Sequence, residues 1–362
     1  MRSEGTSLPT LIGCSGLALA ATSTGCFAPT VQLMDETTAS TSTALADSTG
    51  HGTTAESSGS TSLDHVDGSS SGVADSSSSL HGTNDGTDEG TSTGAQANCM
   101  QATSFAAPTL VAGLQTDMHE DRAWLSADEL IVYLSTNRDD DSPGYDIHAA
   151  VRASLGEPFG EPTLLTGSAG EDRRPTLTAD GLTLYLASSP VGELEYDLMV
   201  ATRANLLAEF SELAPVGVVN SEVSDTAPSI SPDGTTLWFE SQRTGLGDIY
   251  RAQRSGDGPF DEPTAVGELN TASAEAAPVP SADGLTIWFS SDRAGGLGNF
   301  DVWTATRSSI EDGFGEPEHV PEVSSEAIDW PSWISLDGCR LYLASRRPDD
   351  GDYDLWVAER DG

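Results

Sequence analysis

The sequence predicts an all-β fold made of repeated four-stranded sheets, and three observations lead to this prediction. A short pattern recurs five times at intervals of 50 to 54 residues. Each copy contains short apolar runs separated by turn residues, which is typical of β-strands, and helical periodicity is absent. Four strands in a unit of about 50 residues are typical of one blade of a β-propeller. We therefore predict a five-bladed β-propeller over residues 99–362.

Each repeat begins with a predicted β-hairpin. The third copy, SISPDGTTLWFESQR from Ser229 to Arg243, has two apolar strands joined by Asp-Gly, which favours tight hairpin turns. Only the first copy replaces the turn glycine, by Glu129. A third strand follows in segments such as YDLMVATR, and a fourth follows segments such as FGEP in four copies. The turn aspartates of the five copies are Asp128, Asp180, Asp233, Asp283 and Asp337.

The ends of the repeat region predict how the propeller closes. The fifth copy stops at Gly362 without a fourth strand, whereas FAAPTLVAG from Phe105 resembles the fourth strand FGEPTLLTG from Phe159. We predict that this N-terminal strand completes the fifth blade. Such closure leaves no unpaired strand edge at the seam.

The combination of Ser-Pro-Asp-Gly, an apolar-aromatic-apolar triplet, Ser-x-Arg and Tyr-Asp-Ile resembles the WD40-like repeats of the TolB type, over residues 100–362. This resemblance implies a mostly non-catalytic propeller that binds proteins or peptides in the bacterial periplasm. Blade 2 departs from the pattern with Pro190 in place of the arginine found at Arg138, Arg243, Arg293 and Arg347. We expect those arginines to pair with third-strand aspartates, namely Asp146, Asp248, Asp301 and Asp354.

Residues 1–25 are predicted to be a signal peptide. An apolar run from Leu8 to Ala21 precedes small residues and Cys26, and it is too short to span a bilayer. The segment resembles a bacterial lipoprotein signal, which implies that Cys26 is lipidated. A second small-residue box ends at Cys14 but has too few apolar residues before it. Ordinary secretion and no export are the alternatives.

Residues 26–98 are predicted to form a disordered linker. They are mostly Ser, Thr, Gly, Ala and Asp, with one Phe as their only aromatic residue, so they cannot bury a core that offsets the entropy of ordering. Behind a lipidated Cys26, this linker would tether the propeller in the bacterial cell envelope. The protein would then face the periplasm or the cell surface.

The chain is strongly acidic, with 57 acidic residues against 16 basic ones and a formal net charge of −41. Such a surface repels phosphate backbones and anionic lipid headgroups, which excludes nucleic acid as a partner and leaves a lipid anchor as the only predicted membrane contact. Cations and basic partners remain compatible with this charge. Alternatively, the acidic residues only keep the protein soluble.

A carboxylate stands eight residues before each turn aspartate. Because the first strand of a propeller blade lines the central channel, these five groups are predicted to lie near one channel mouth. They would bind Ca²⁺ or a basic peptide there, since clustered like charges recruit cations. Alternatively, each acid caps a loop or pairs with a neighbouring arginine. No other cofactor is predicted. The five residues are Glu120, Asp172, Asp225, Glu275 and Asp329.

Three tryptophans form a candidate aromatic contact. Trp124 and Trp333 occupy equivalent positions in the first and fifth copies, and Trp330 lies near Trp333. They would contact a sugar or a peptide side chain. Alternatively, these tryptophans fill the channel as part of the hydrophobic core.

These features predict a monomeric, non-catalytic envelope propeller that binds a protein, peptide or glycan through the channel mouth. A purely structural envelope module is one alternative. A glycoside-active enzyme is another, because five-bladed glycoside hydrolases place pairs of acids around the channel. Residues 99–362 have no nucleophile elbow, His-Glu-x-x-His or Cys-x-x-Cys motif that would indicate another enzyme class.

Cys99 and Cys339 are predicted to form a disulfide. After processing at Cys26 they are the two remaining cysteines, and an exported protein meets an oxidising compartment. Cys99 precedes the predicted closing strand, and Cys339 begins the second strand of the fifth blade. Two buried free thiols are the alternative.

Overall fold

The computed structural model describes Cys99 and residues 104–138, 144–166, 168, 170–347 and 351–360. The predicted signal peptide, Cys26 and the predicted linker lie outside the described residues. Within the described part of the chain, no helix is long and apolar enough to cross a membrane.

The described residues form five four-stranded antiparallel sheets, which confirms the predicted five-bladed all-β propeller. Blade 1 contains β2 (Glu120–Leu125), β3 (Ile131–Thr136), β4 (Asp146–Val151) and β5 (Thr163–Thr166). Blade 2 contains β6 (Glu171–Leu177), β7 (Thr183–Ser189), β8 (Asp197–Thr202) and β9 (Ala214–Pro215), followed by a 3-10 helix (Gly217–Val219). Blade 3 contains β10 (Asp225–Ile230), β11 (Thr236–Ser241), β12 (Asp248–Gln253) and β13 (Thr264–Ala265). Blade 4 contains β14 (Glu275–Pro280), β15 (Thr286–Ser291), β16 (Asp301–Thr306) and β17 (Glu318–His319).

Blade 5 is built from both ends of the propeller. It contains β18 (Asp329–Ile334), β19 (Arg340–Ser345), β20 (Asp354–Glu359) and the N-terminal β1 (Thr109–Leu110). In β1, Thr109 lies opposite Val357 and Leu110 lies opposite Trp356. The N-terminal strand therefore completes the last blade, as predicted.

Hydrogen bonds to the aspartate side chain stabilise the Asp-Gly turns. In blade 3, Asp233 accepts hydrogen bonds from the Ser231 hydroxyl at 2.6 Å and from the Thr235 amide at 3.0 Å. Gly234 adopts φ +72°, a left-handed conformation that glycine reaches without a steric penalty. After the turn, Leu237 and Phe239 of β11 are fully buried. The turn thus fixes the register that directs these side chains into the core.

The first strand of each blade, here called the inner strand, contacts the inner strands of both neighbouring blades around the ring. One backbone hydrogen bond repeats at every junction: the amide of each predicted carboxylate donates to a carbonyl next to the third strand of the preceding blade. In blade 3, the Asp225 amide donates to Tyr196 at 2.8 Å. These bonds satisfy buried backbone groups that the sheets leave unpaired.

A disulfide joins Cys99 to Cys339, with the two Cα atoms 5.7 Å apart, a normal span for such a bridge. It links the residue that precedes the closing strand to the turn that opens β19. Asp337 lies beside both sulfur atoms, but the bridge occupies them, so the three residues form no open metal site.

Candidate binding site at one channel mouth

The two ends of the channel differ in chemistry. The acid mouth is the end where the five inner strands begin, beside Glu120 and its four equivalents, and where the loops between second and third strands lie. The turn mouth is the opposite end, beside the five turn aspartates.

The structure places all five predicted carboxylates at the acid mouth, where each is buried. However, each bonds within its own blade. Asp225 accepts from the hydroxyl of Ser221 and from Nη2 of Arg243, both at 2.8 Å. The other acids likewise accept from a serine or threonine four residues earlier: Thr116, Ser168, Thr271 and Ser325. These contacts favour the loop-capping alternative, and calcium binding stays a prediction.

The expected partner of the repeated arginines is corrected by these contacts. Arg243, Arg293 and Arg347 pair with the inner-strand acids of their own blades at 2.8, 3.1 and 2.5 Å, and Arg138 pairs with Glu120 at 3.1 Å. In the described residues, the ion pairs of Arg243, Arg293 and Arg347 are made with the inner strand and not with Asp248, Asp301 and Asp354. Each guanidinium group also reaches back to a loop carbonyl, as Arg243 does to Val219. The arginine thereby ties the inner strand to the loop that enters it.

Blade 2 has Pro190 at the arginine position, and serines replace the missing cation. Asp172 accepts hydrogen bonds from Ser188 at 2.7 Å and from Ser168 at 3.2 Å. Burial raises the pKa of Asp172 because no arginine compensates the desolvation. In blade 1, burial raises the pKa of Glu120 to about 7 despite the opposing effects of Thr116 and Arg138.

The structure separates the three predicted tryptophans. Trp124 and Trp333 are buried and line a cavity of about 50 Å³ near the turn mouth, a volume that holds only a few water molecules. They belong to the same hydrophobic cluster, which favours the alternative that they fill the channel as core. Trp330 instead stacks on Phe300, with ring centroids 4.8 Å apart, and donates from Nε1 to the Tyr353 hydroxyl. Of the predicted aromatic contact, only Trp330 belongs to the acid mouth.

The sequence analysis missed three arginines near the acid mouth. Arg122, Arg173 and Arg174 follow the inner-strand acids of blades 1 and 2 by one or two residues. The signal was present, because the equivalent positions in the other blades hold uncharged residues: Thr226 and Ala227, Ala276 and Ala277, and Trp330 and Pro331. The five copies were aligned on the residues that they share, so the positions at which blades 1 and 2 differ from the others were not singled out.

The buried Asp121 and the partly buried Glu240 accompany these arginines. Nε of Arg174 lies 3.6 Å from Oδ2 of Asp121, and its Nη1 lies 3.8 Å from Oε2 of Glu240. Arg174 also donates to the Thr226 hydroxyl at 3.0 Å. Arg174 therefore bridges blade 1 to blade 3 across the inner strand of blade 2.

Aromatic rings hold the guanidinium groups in place. Arg173 lies 3.6 Å from the centroid of the Tyr145 ring, and Arg122 and Arg174 lie 5.7 and 5.9 Å from a ring of Trp330. Such cation–π contacts stabilise a guanidinium group and fix its orientation. The mouth is thus lined by arginine, tyrosine and tryptophan, the residue types that dominate binding energy in protein interfaces.

The buried charges at this mouth perturb one another. Burial, followed by the positive charge of Arg174, lowers the pKa of Arg122 to about 9. Burial alone would raise the pKa of Asp121, but Arg174 and Arg173 outweigh it and the net shift is downward. Burial raises the pKa of Glu240. Asp121 therefore stays ionised, whereas the negative charge on Glu240 is disfavoured.

Exposed leucines lie at the same end of the propeller. Leu194, Leu246 and Leu297 lie in the loops between second and third strands of blades 2, 3 and 4 and are 91, 56 and 56% exposed. Leu194 also lines a cavity of about 170 Å³ at the acid mouth, together with Arg173, Arg174 and Glu240. The acid mouth thus combines an arginine cluster with these three leucines, here called the leucine rim.

No protein-family model matches the sequence, and no curated protein matches it. Similar solved structures include a putative TolB from Agrobacterium tumefaciens, with 18% identity and a TM-score of 0.43 over 70% of this chain and 78% of that chain. TolB from Acinetobacter baumannii has 16% identity and a TM-score of 0.40 over 67% of this chain and 54% of that chain. A thermostable family-43 glycoside hydrolase has 12% identity and a TM-score of 0.46 over 68% of this chain and 90% of that chain. At these identities, the similarity extends to the propeller fold alone.

Proposed function

We propose that this chain is a non-catalytic propeller of the bacterial cell envelope that binds a protein or peptide segment at its acid mouth. The observation that carries the proposal is the group of three arginines and Trp330 at the mouth, at the same end of the propeller as the exposed Leu194, Leu246 and Leu297. A peptide segment offers both apolar side chains for the rim and polar groups for the centre. A glycan offers few purely apolar groups, so it fits this rim less well.

The proposed location depends on the lipid anchor at Cys26 and the linker up to residue 98. The described chain begins at Cys99, which is bonded to Cys339 next to the turn of blade 5. Cys99 therefore lies at the turn mouth, opposite the acid mouth. A tether attached there leaves the acid mouth free to receive a ligand.

A peptide selection tests this function. The full-length chain is immobilised, and a random peptide library displayed on phage is selected on it. We expect the selected peptides to bind at least about tenfold more weakly to a Leu246→Asp/Leu297→Asp variant, because charged rim residues remove apolar contacts from the interface. Leu207→Asp is the control, because Leu207 is also exposed, at 80%, but lies in a loop at the turn mouth. Selected peptides that bind wild type and the double variant equally would place the site elsewhere.

One observation favours a second candidate function, glycoside hydrolysis. Asp121 and Glu240 project from blades 1 and 3, and their pKa values are shifted in opposite directions, as for a base and a general acid. Arg174 lies between the two carboxylates, where the scissile bond would need to sit. A panel of nitrophenyl glycosides tests this function, and turnover that Glu240→Gln abolishes would establish it.

A further inference from the structure

Most arginines of the propeller belong to two repeated sets. In one set, Arg138, Arg243, Arg293 and Arg347 pair with inner-strand acids. In the other set, Nε donates to the turn carbonyl of the same blade, as in Arg152, Arg203, Arg254 and Arg307. Arg122, Arg173 and Arg174 belong to neither set and occur only in blades 1 and 2. The repeated scaffold therefore does not account for them.

These three arginines carry buried donors without acceptors. Arg122 is 5% exposed, and its Nε and Nη2 atoms have no hydrogen-bond partner among the described residues. The Nε atoms of Arg173 and Arg174 are also unpartnered, because their contacts with carboxylates lack hydrogen-bond geometry. Burying a charged donor without an acceptor is unfavourable. A ligand with acceptor oxygens would remove that penalty.

Three carboxylates lie beside the three arginines. Asp121 stays ionised, burial disfavours the charge on Glu240, and Glu171, which contacts Arg173 at 3.3 Å, is partly exposed to solvent. An anionic group would add acceptor oxygens for the guanidinium donors that these carboxylates leave unpartnered.

The mouth also has space for such a group. The cavity of about 170 Å³ is lined by Arg173, Arg174, Tyr196, Thr226 and Glu240, whereas Arg122 lies outside this lining, near the Trp330 side chain that Arg174 also contacts. Since a water molecule takes up about 30 Å³ in the liquid, this volume corresponds to about five or six waters. It can accept a carboxylate with its neighbouring methylene groups.

We propose that Arg122, Arg173 and Arg174 form a carboxylate-binding site at the acid mouth. This inference rests on the proposed function, because the carboxylate is a side chain or the C-terminus of the bound peptide. The planar guanidinium group donates two parallel hydrogen bonds to a carboxylate, which selects this group over a neutral amide of the same shape. The site specifies the ligand's charge, and the leucine rim supplies the apolar contacts.

A double-mutant cycle tests the site with the full-length chain. The probe is the tightest-binding peptide from the library selection, in which each Glu, Asp and the C-terminal carboxylate is replaced in turn by its amide. We expect one replacement to weaken binding about tenfold or more to wild type but less than about twofold to Arg122→Met, because the two groups are coupled. Arg122→Gln serves as a second variant. Arg251→Gln, which removes the same charge from β12, should retain the wild-type pattern.

The other outcomes separate this inference from the proposed function. If binding depends on Leu246 and Leu297 but no carboxylate of the peptide is coupled to Arg122, the proposed carboxylate site is wrong. The proposed peptide-binding function is then still supported. If no selected peptide depends on the acid mouth, both proposals are wrong. If inorganic phosphate displaces the peptide as well as acetate does, the site is a general anion site and the assignment fails. Tighter, Arg122-dependent binding of oligogalacturonate would overturn the peptide as the ligand.

Discussion

Glu129 of blade 1 forms an ion pair with Arg340 of blade 5. Nε of Arg340 donates to Oε2 of Glu129 at 2.7 Å, and the Tyr342 hydroxyl donates to the same oxygen at 2.8 Å. Glu129 adopts φ +59°, where four other turns have glycine, and a non-glycine residue is disfavoured there. The contact across the seam offsets this backbone strain. The one departure from the turn pattern thus fastens the first blade to the last.

Glu129→Gly tests this contact. Glycine suits the left-handed turn, but the variant leaves Arg340 and Tyr342 without their buried partner. We expect the free energy of unfolding to fall by about 3 kcal/mol, as when one member of a buried ion pair is removed. Urea denaturation measures the change, with the exposed Glu157→Gln as the control for charge. A more stable Glu129→Gly variant would show that the turn geometry outweighs the ion pair.

Arg122→Met should stabilise the protein. The substitution replaces an unpartnered buried guanidinium group with an apolar side chain of similar length, so we expect the free energy of unfolding to rise by about 1 kcal/mol. Arg174→Met should instead lower it, because this change breaks the contacts with Asp121, Glu240 and Thr226. Urea denaturation of both variants checks the contrast. A loss of stability in Arg122→Met would indicate a structural role for this arginine.

Glu120 should make the stability depend on pH. Its pKa is raised from 4.5 to about 7 in the folded protein, so the folded state holds a proton that the unfolded state has lost between these values. The stabilisation from this proton is fully present below about pH 4.5 and is lost as the pH rises through about 7. Glu120→Gln should therefore flatten the decline of stability from pH 4.5 to 7. Identical slopes for the variant and wild type in urea denaturation would contradict the raised pKa.

The disulfide should contribute to stability. Cys99 and Cys339 are separated by 240 residues, and closing a loop of that length restricts the unfolded chain. We expect Cys339→Ser to lower the free energy of unfolding by about 2–4 kcal/mol. Cys14→Ser/Cys26→Ser is the control and should leave it unchanged. Free thiols detected in that control after denaturation without a reductant would show that the bridge does not form.

Cys26→Ala should release the protein from membranes, because the acyl chain is the proposed anchor. Cell fractionation followed by immunoblotting measures the shift from the membrane to the soluble fraction. Cys14→Ala is the matched control and should stay with the membrane. Membrane association of Cys26→Ala equal to that of wild type would exclude lipidation at this cysteine.

The sequence predicted the features that all five blades share. The Asp-Gly turns, the strand order and the closure by the strand after Phe105 each depend on residues that recur, so one copy supports another. The structure places the three tryptophans in two different surroundings for a physical reason. Trp330 and Trp333 are three residues apart on β18, a distance of about 10 Å along a strand, and a register shift lies between them. Proximity in sequence therefore did not place them in one site.

The candidate site could not be predicted in the same way, because it depends on differences between blades. The pairing of Arg174 with Asp121 and Glu240 joins three blades, and residues 121 and 240 become neighbours only when the ring has closed. The burial that leaves Arg122 without an acceptor is likewise a property of the assembled channel. Such features follow from tertiary packing between blades, which the repeat pattern of the sequence does not predict.

The two-residue strand β1 affects the order in which the molecule folds. Thr109 meets Val357 only after nearly the whole propeller has been synthesised, whereas the hairpins of blades 1 to 4 form from neighbouring residues. Contacts between residues so distant in sequence form slowly, because the chain must first pay the entropy of closing a long loop. A chain that emerges N-terminus first therefore carries β1 unpaired until its last strand arrives. Ring closure is then the final step of folding, and the fifth blade is complete only when β1 has paired with β20.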